Sequence, residues 1–163
     1  MPKKSTKVEI PTEKDTKKHG EHSYYEAIGR RKEAIARVRL YVASEETHIK
    51  GVVIKKGEVV VNSTPVGKYF PGDVYKKMYL EPFQITGTEG RFAVSAIISG
   101  GGLSGQVGAF RLGVSRALEK LDKEKHRPTL KKAGFLTRDS RAKERRKAGF
   151  AQKARARKQS PKR

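Results

Sequence analysis

Apolar and polar residues alternate cleanly along one stretch of this chain. Ala34, Ala36, Val38, Leu40 and Val42 interleave with Ile35, Arg37, Arg39 and Tyr41. That period of two predicts a half-buried strand with Arg37 and Arg39 turned off the core. Tyr24 to Ile28 predicts a strand before it, and Gly29-Arg30-Arg31-Lys32 a basic turn between the two. Val52–Ile54 and Val59–Val61 are further β-rich runs, and Gly57 between them predicts a hairpin. Thr64-Pro65 reads as the cap and first residue of a short helix reaching about Phe70. A second short helix is expected over Asp73–Leu80, with Pro82 blocking its continuation. Phe83–Thr86 and Arg91–Ser99 read as strands joined through Gly87 and Gly90. In the second of these, Phe92, Val94, Ala96 and Ile98 share one face and Ala93 and Ile97 the other, which marks a central strand.

After Ser99 the period changes. Val107, Phe110, Val114, Leu118 and Leu121 recur at helical spacing and predict a helix from about Gly105 to Asp122, with that stripe in the core. Arg116 falls nearly opposite the stripe and Arg111 at its edge. Arg127-Pro128 is expected to end the helical texture, with one more helical turn over Leu130–Gly134. The pattern divides the chain into a leader at 1–22, a globular α+β domain at 23–130 and an arm at 131–163.

Charge gives the two ends their meaning. Met1–His22 holds six lysines, four acids and no aromatic residue, a composition that predicts disorder. Lys131–Arg163 holds fourteen basic residues against Asp139 and Glu144, a net charge of +12 out of +21 for the whole chain. Such a segment cannot bury enough apolar surface to offset its ordering entropy. It is expected to be an extended arm that orders against a polyanion, and nucleic acid is the polyanion that fits. Seven of the fourteen are arginines, suited to bidentate phosphate contact and to stacking on bases. No apolar stripe accompanies the charges and no apolar run approaches the roughly 20 residues that span a bilayer, so no membrane role is expected. A free nucleic-acid-binding or RNA-chaperone module is the alternative that the charge alone leaves open.

Other chemistries find little support. Cysteine is absent, and His19, His22, His48 and His126 share no metal-ligand spacing. Gly100, Gly102 and Gly105 match G-x-G-x-x-G, which in a dinucleotide site seats pyrophosphate on a helix N-terminus. Such a site needs a further apolar strand ending in an acid, and Lys123-Glu124-Lys125-His126-Arg127-Pro128 follows instead. No cofactor and no catalytic constellation are expected. The glycines either let backbone approach backbone or admit an RNA phosphate at the helix start.

Three stretches carry a resemblance. Gly29-Arg30-Arg31-Lys32-Glu33-Ala34-Ile35-Ala36-Arg37-Val38 looks like a GRRK-x-A-x-ARV motif. The run from Gly100 through Ser104-Gly105-Gln106 and Arg111 to Ser115-Arg116-Ala117-Leu118 resembles GGG-x-SGQ-x-GA-x-R-x-G-x-SRAL. Leu130 to Arg141, with Glu144-Arg145, is similar to LRKAG-x-x-TRD-x-R-x-x-ER. All three resemble the bacterial-type family of small ribosomal subunit protein nine, from about Tyr24 onward.

That resemblance implies a compact two-layer α+β domain, a mixed sheet with helices and a left-handed β-α-β crossover, in the head of the small subunit. It implies a non-enzymatic, cytoplasmic structural constituent of the ribosome that binds 16S ribosomal RNA of the head, the 3′ major domain. Proteins seven, ten and fourteen of the small subunit are its implied neighbours. Arg30, Arg31, Lys32, Arg37, Gly101, Gly102, Ser104, Gln106, Arg111 and Arg116 are the body residues expected on ribosomal RNA. Lys131, Lys132, Arg138, Arg141, Arg145, Arg146, Lys147, Lys153, Arg155, Arg157 and Lys158 are those expected from the arm. The family's terminal Lys-Arg, which reaches the P-site transfer RNA, corresponds to Lys162 and Arg163. Ser160-Pro161 stands where the family often has an aromatic residue and serine, and the leader and the 43–57 segment are longer than usual.

Overall fold

The computed structural model describes residues 24–42, 46–49, 52–150 and 153–155. The leader, and Arg157, Lys158, Lys162 and Arg163, lie outside the described residues. The architecture is α+β, with helices packed against a five-stranded mixed sheet in the order β1 (Tyr24–Arg31), β2 (Ala34–Tyr41), β7 (Ala93–Ser99), β5 (Val59–Val61) and β6 (Thr64–Pro65). Strands β1 (Tyr24–Arg31) and β2 (Ala34–Tyr41) pair antiparallel, and β2 pairs antiparallel with β7 (Ala93–Ser99). The alternation in β2 follows its sequence as far as Leu40: Ala34, Ala36, Val38 and Leu40 are fully buried and Ile35 is exposed, but at its end Tyr41 is buried in the second cluster under Ile54 and Val42 is exposed. β7 lies third of five, as its two apolar faces predict. The β1–β2 turn is tighter than expected. Gly29, Arg30 and Arg31 belong to the strand, and only Lys32 and Glu33 turn, with Lys32 at φ 50°.

Four expectations are corrected. Val52–Ile54 and Val59–Val61 do not form a hairpin. β4 (Val52–Lys55) pairs with β3 (Glu46–Ile49), while β5 (Val59–Val61) runs parallel to β7. A short run of three valines suits a strand enclosed within the sheet, and Val60 and Val61 are both buried. Thr64-Pro65 is not a helix start but β6, closed onto β5 through Asn62 and Ser63, both at positive φ. Helix α1 (Val66–Tyr69) begins one residue later than predicted.

The remaining two corrections concern proline. Helix α2 spans Asp73–Thr86, straight through Pro82, so Phe83–Thr86 is helix rather than strand. An interior proline costs about 3 kcal/mol. Tyr79, Pro82 and Phe83 bury one continuous face of α2, at about 1.5–3 kcal/mol for each large side chain, and that burial wins. The Thr86 hydroxyl donates to the Pro82 carbonyl at 2.8 Å. Likewise Pro128 lies inside α4 (Lys123–Lys132), whose start is capped by the Asp122 carboxylate accepting from the Lys125 amide at 3.0 Å. His126 and Leu130, one turn apart, bury the inner face of α4. Gly134, at φ 76°, stops the helix, and the Phe135 amide returns to the Leu130 carbonyl at 3.0 Å.

Helix α3 (Leu103–Leu121) crosses β1 and β2 and organises the body. Its apolar stripe holds Val107, Phe110, Val114 and Leu118, all fully buried. α2 and α4 pack on α3, and Phe70, Tyr79, Phe83, Leu130 and Phe135 complete that core. On the opposite face of the sheet a small second cluster forms where Ile54 of the β3–β4 hairpin covers Tyr24, Tyr41, Val60 and Ala93.

Candidate nucleic-acid interface

The glycines place the helix on the hairpin. A Cβ at Gly29 would overlap the backbone of Ala109 and Gly113, and one at Gly113 would lie 2.7 Å from the Val38 side chain. α3 therefore approaches β1 and β2 at backbone distance. At the start of α3, Gly100 and Gly101 turn with positive φ against the backbone of Glu33 and Ala34. Gly100 and Gly101 are thus accounted for by close packing, whereas Gly102 has open space at its Cα. Gln106 is half-buried: it accepts from the Tyr69 hydroxyl at 3.1 Å and donates to the Gly100 carbonyl at 3.1 Å, bracing the glycine turn.

This close crossing gathers basic side chains. Arg30 and Arg31 from β1, Ser104 and Arg111 from α3, and Arg141 from the segment after α4 line one cleft of about 190 Å³. Met78, Leu112 and Phe135 give it an apolar wall. The Arg111 guanidinium lies 4.8 Å from the centre of the Phe135 ring and donates to Glu81 at 2.9 Å. Phe135 thereby ties the root of the arm to the body.

Asp139 is the acid that lines this cleft. Its carboxylate accepts from Arg31 and, in a fork, from Arg141, with Nε donating to Oδ1 at 3.1 Å and Nη2 to Oδ2 at 2.7 Å. The Arg141 amide adds a bond at 2.9 Å. The Arg141 hydrogen bonds, side chain and then backbone, with a smaller contribution from Arg31, hold the Asp139 carboxyl well below the usual carboxylate range. The Arg141 guanidinium is correspondingly raised by its bonds to Asp139.

The other expected residues are distributed more widely. Lys32 is exposed at the hairpin turn, and Arg37 lies on the sheet face away from α3, between Ile28 and Ile97 in register. Arg116 donates to the Ile28 carbonyl at 2.8 Å and Lys120 to the Glu26 carbonyl at 3.0 Å. Both cover the free edge of β1. Lys131 and Lys132 are exposed on the last turn of α4, where the helix dipole favours cations. Residues 138–147 carry neither helix nor strand. Arg138, Arg145, Arg146, Lys147 and Lys153 are exposed, and Arg155 pairs with Glu144 at 3.2 Å. The Lys147 amide donates to the Lys153 carbonyl at 3.1 Å, closing a local turn.

Two residues that organise this surface, Phe135 and Asp139, were not among those expected to serve it. The signal for each was present: a lone aromatic between Gly134 and Leu136, and one of only two acids in the arm. Among the described residues no helix is long and apolar enough to cross a membrane, and no three His, Asp or Glu cluster to hold a metal.

Residues 29–163 match the family model described as Ribosomal protein S9/S16. The chain is 48% identical over 124 residues to the small ribosomal subunit protein uS9 of Leifsonia xyli subsp. xyli, covering 76% of this chain and 67% of that one. It is 49% identical over 124 residues to uS9 of Cutibacterium acnes, covering 76% and 65%. With uS9 of Pseudarthrobacter chlorophenolicus it shares 47% over 137 residues, covering 84% and 74%. The chain spans about two thirds to three quarters of the length of these relatives.

Proposed function

The chain belongs to the ribosomal protein S9/S16 family, and on that premise we propose that it binds 16S ribosomal RNA in the head of the small subunit and carries Lys162 and Arg163 to the P-site transfer RNA. It is a structural, non-enzymatic constituent of the cytoplasmic small ribosomal subunit. The observation that carries the reading is that one family match, 29–163, takes in both the folded body and the segment with a net charge of +12.

The body docks first, through Arg30, Arg31, Lys32, Arg37, Arg111 and Arg116, with Gly101, Gly102, Ser104 and Gln106 at the start of α3 beside them. The arm then orders along RNA, its Lys and Arg neutralising phosphates and releasing counterions. Such contacts position the chain more than they read sequence, so the shape of the RNA supplies most of the specificity. Fully extended, Phe150 to Arg163 reaches about 45 Å, far enough to cross folded RNA that a globular surface cannot enter. Alanines and glycines at 142, 148, 149, 151, 154 and 156 keep the arm thin. On the same family ground, the β5–β7 connection through α1 and α2 takes a left-handed course, against the usual rule. Small-subunit proteins seven, ten and fourteen are the neighbours.

Sucrose-gradient sedimentation tests the placement: the full chain travels with small subunits, whereas a free nucleic-acid-binding module stays near the top or smears across all RNA. Deleting Lys162 and Arg163 tests the tip. Assembly is retained and P-site transfer RNA dissociates faster; unchanged retention would remove the tip from the P-site.

A further inference from the structure

The cleft at the junction of body and arm is concave, basic and small. At about 190 Å³ it lies below the roughly 300 Å³ at which drug-sized ligand pockets begin. Its size suits a group such as phosphate, not a nucleotide cofactor. Three arginines, Arg31, Arg111 and Arg141, line it together with the strand position of Arg30, whose side chain alternates to the outer face of β1 with Ile28. Glu81 and Asp139 oppose them, two acids against three arginines. An anion is therefore favoured there beyond those the chain supplies.

The chain's own anion already occupies the best position. Asp139 takes the Nε and Nη2 edge of Arg141, the edge with which arginine grips a phosphate in two parallel hydrogen bonds, and takes Nη1 of Arg31 as well. Glu144, the arm's other acid, is likewise bonded to an arm arginine, Arg155. Both acids of the 131–163 segment thus act as internal counterions, although its basic residues outnumber them seven to one.

We propose that this cleft is a phosphate site for the RNA backbone, and that Asp139 is a surrogate for the phosphate, displaced from Arg141 and Arg31 when RNA arrives. A phosphodiester offers the same pair of oxygens as the carboxylate. It also gains Ser104, which lines the cleft without a bond to Asp139. Before RNA binds, the surrogate keeps the arm root against the body. After exchange, residues beyond Thr137 are released to follow the RNA. This deepens the RNA-binding reading above and rests on it, but the two fail separately: sedimentation with small subunits tests that reading, and the exchange at Arg141 tests this one.

The test uses the full-length chain labelled with nitrogen-15, titrated with a four-nucleotide oligouridylate and, in parallel, with inorganic phosphate at matched ionic strength. The arginine Nε–H signals of Arg31, Arg111 and Arg141 are followed, together with hydrogen exchange at the Arg141 amide. The RNA moves the three side-chain signals saturably and speeds exchange of that amide as its bond to Asp139 breaks. Inorganic phosphate moves the same signals in the same direction at higher concentration. Asp139→Asn removes the competitor, so the apparent affinity at these signals rises at least about threefold; Arg111→Gln lowers it. Unchanged or weaker binding by Asp139→Asn overturns the proposal, as does a response to RNA with none to phosphate. Should Asp139→Asn fail to fold, the wild-type chain decides alone: an Arg141 amide whose exchange is unchanged or slowed by RNA shows that Asp139 was never displaced.

Discussion

The body and the segment after Thr137 meet at Phe135 and Asp139, yet they are held by different forces. In the body, α3 is pressed onto β1 and β2 over a core that includes Phe70, Phe83 and Phe110. Its polar bonds are mostly internal braces, such as Asn62, whose side chain bonds both the amide and the carbonyl of Ile98 at 2.9 Å. In the arm, residues 141–150 are all exposed, and order comes from Asp139 and Glu144 gripping arginines. Exposed ion pairs of this kind contribute little, typically about 0–1 kcal/mol. The body therefore has a core of its own, whereas the described part of the arm rests on a few exposed ion pairs.

The largest effect is expected from breaking the body. Phe110→Ala empties a fully buried site in α3 beside Phe70, and the loss is about 4 kcal/mol, read as a lower urea midpoint. Because the arm does not depend on this core for its charge, weak salt-sensitive RNA binding survives in the unfolded variant. Gly29→Ala is smaller in chemistry but strikes backbone. The added methyl overlaps Ala109 and Gly113, so helix and hairpin must part, at about 2–3 kcal/mol by the same measurement. It also shifts Arg30 and Arg31 relative to Arg111, so RNA affinity falls with stability, unlike a purely electrostatic lesion.

The arm sharpens the contrast from the other side. Replacing Arg145, Arg146 and Lys147 by alanine removes three exposed charges that make no ion pair among the described residues. The urea midpoint stays within error. In RNA titrations at several salt concentrations, the slope of log affinity against log salt becomes shallower by about 2. A shift in the urea midpoint, with the slope unmoved, would mean that the arm braces the body.

What the chain disclosed in advance follows the same division. β2, β7 and α3 were legible because a single period ran through each and one face of each is buried. The arm's charge is legible in its composition, fourteen basic residues against two acids. Pro82 and Pro128 sit inside helices because the burial of Tyr79 and Phe83, and of His126 and Leu130, outweighs a local propensity that alone predicts a break. The pairing of β5 with β7 could not be read locally, since it joins residues more than thirty positions apart. In the sequence Asp139 is one opposing charge among many bases; only the fold brings Arg31 across to meet it.

The smallest expected effect separates the two regions by pH. His126 is buried on α4, and desolvation lowers its pKa below the ordinary 6.5, with Asp122 opposing that shift and Lys125 and Arg91 adding to it. The folded chain therefore keeps this imidazole neutral at a pH where the unfolded chain has already protonated it. Where the unfolded state binds more protons, stability rises with pH. The contribution is fully present above the unfolded value of about 6.5 and declines as pH falls towards the lowered folded value. The urea midpoint should drop between pH 7.5 and pH 5.5, and His126→Leu should flatten that dependence. Asp139 has the opposite timing. Its carboxyl is held below the ordinary range, so the bond to Arg141 stays intact throughout that window and is lost only in stronger acid. Mild acid thus loosens α4 while leaving the arm root latched, and an Arg141 Nε–H signal unmoved from pH 7.5 to 5.5 is the check.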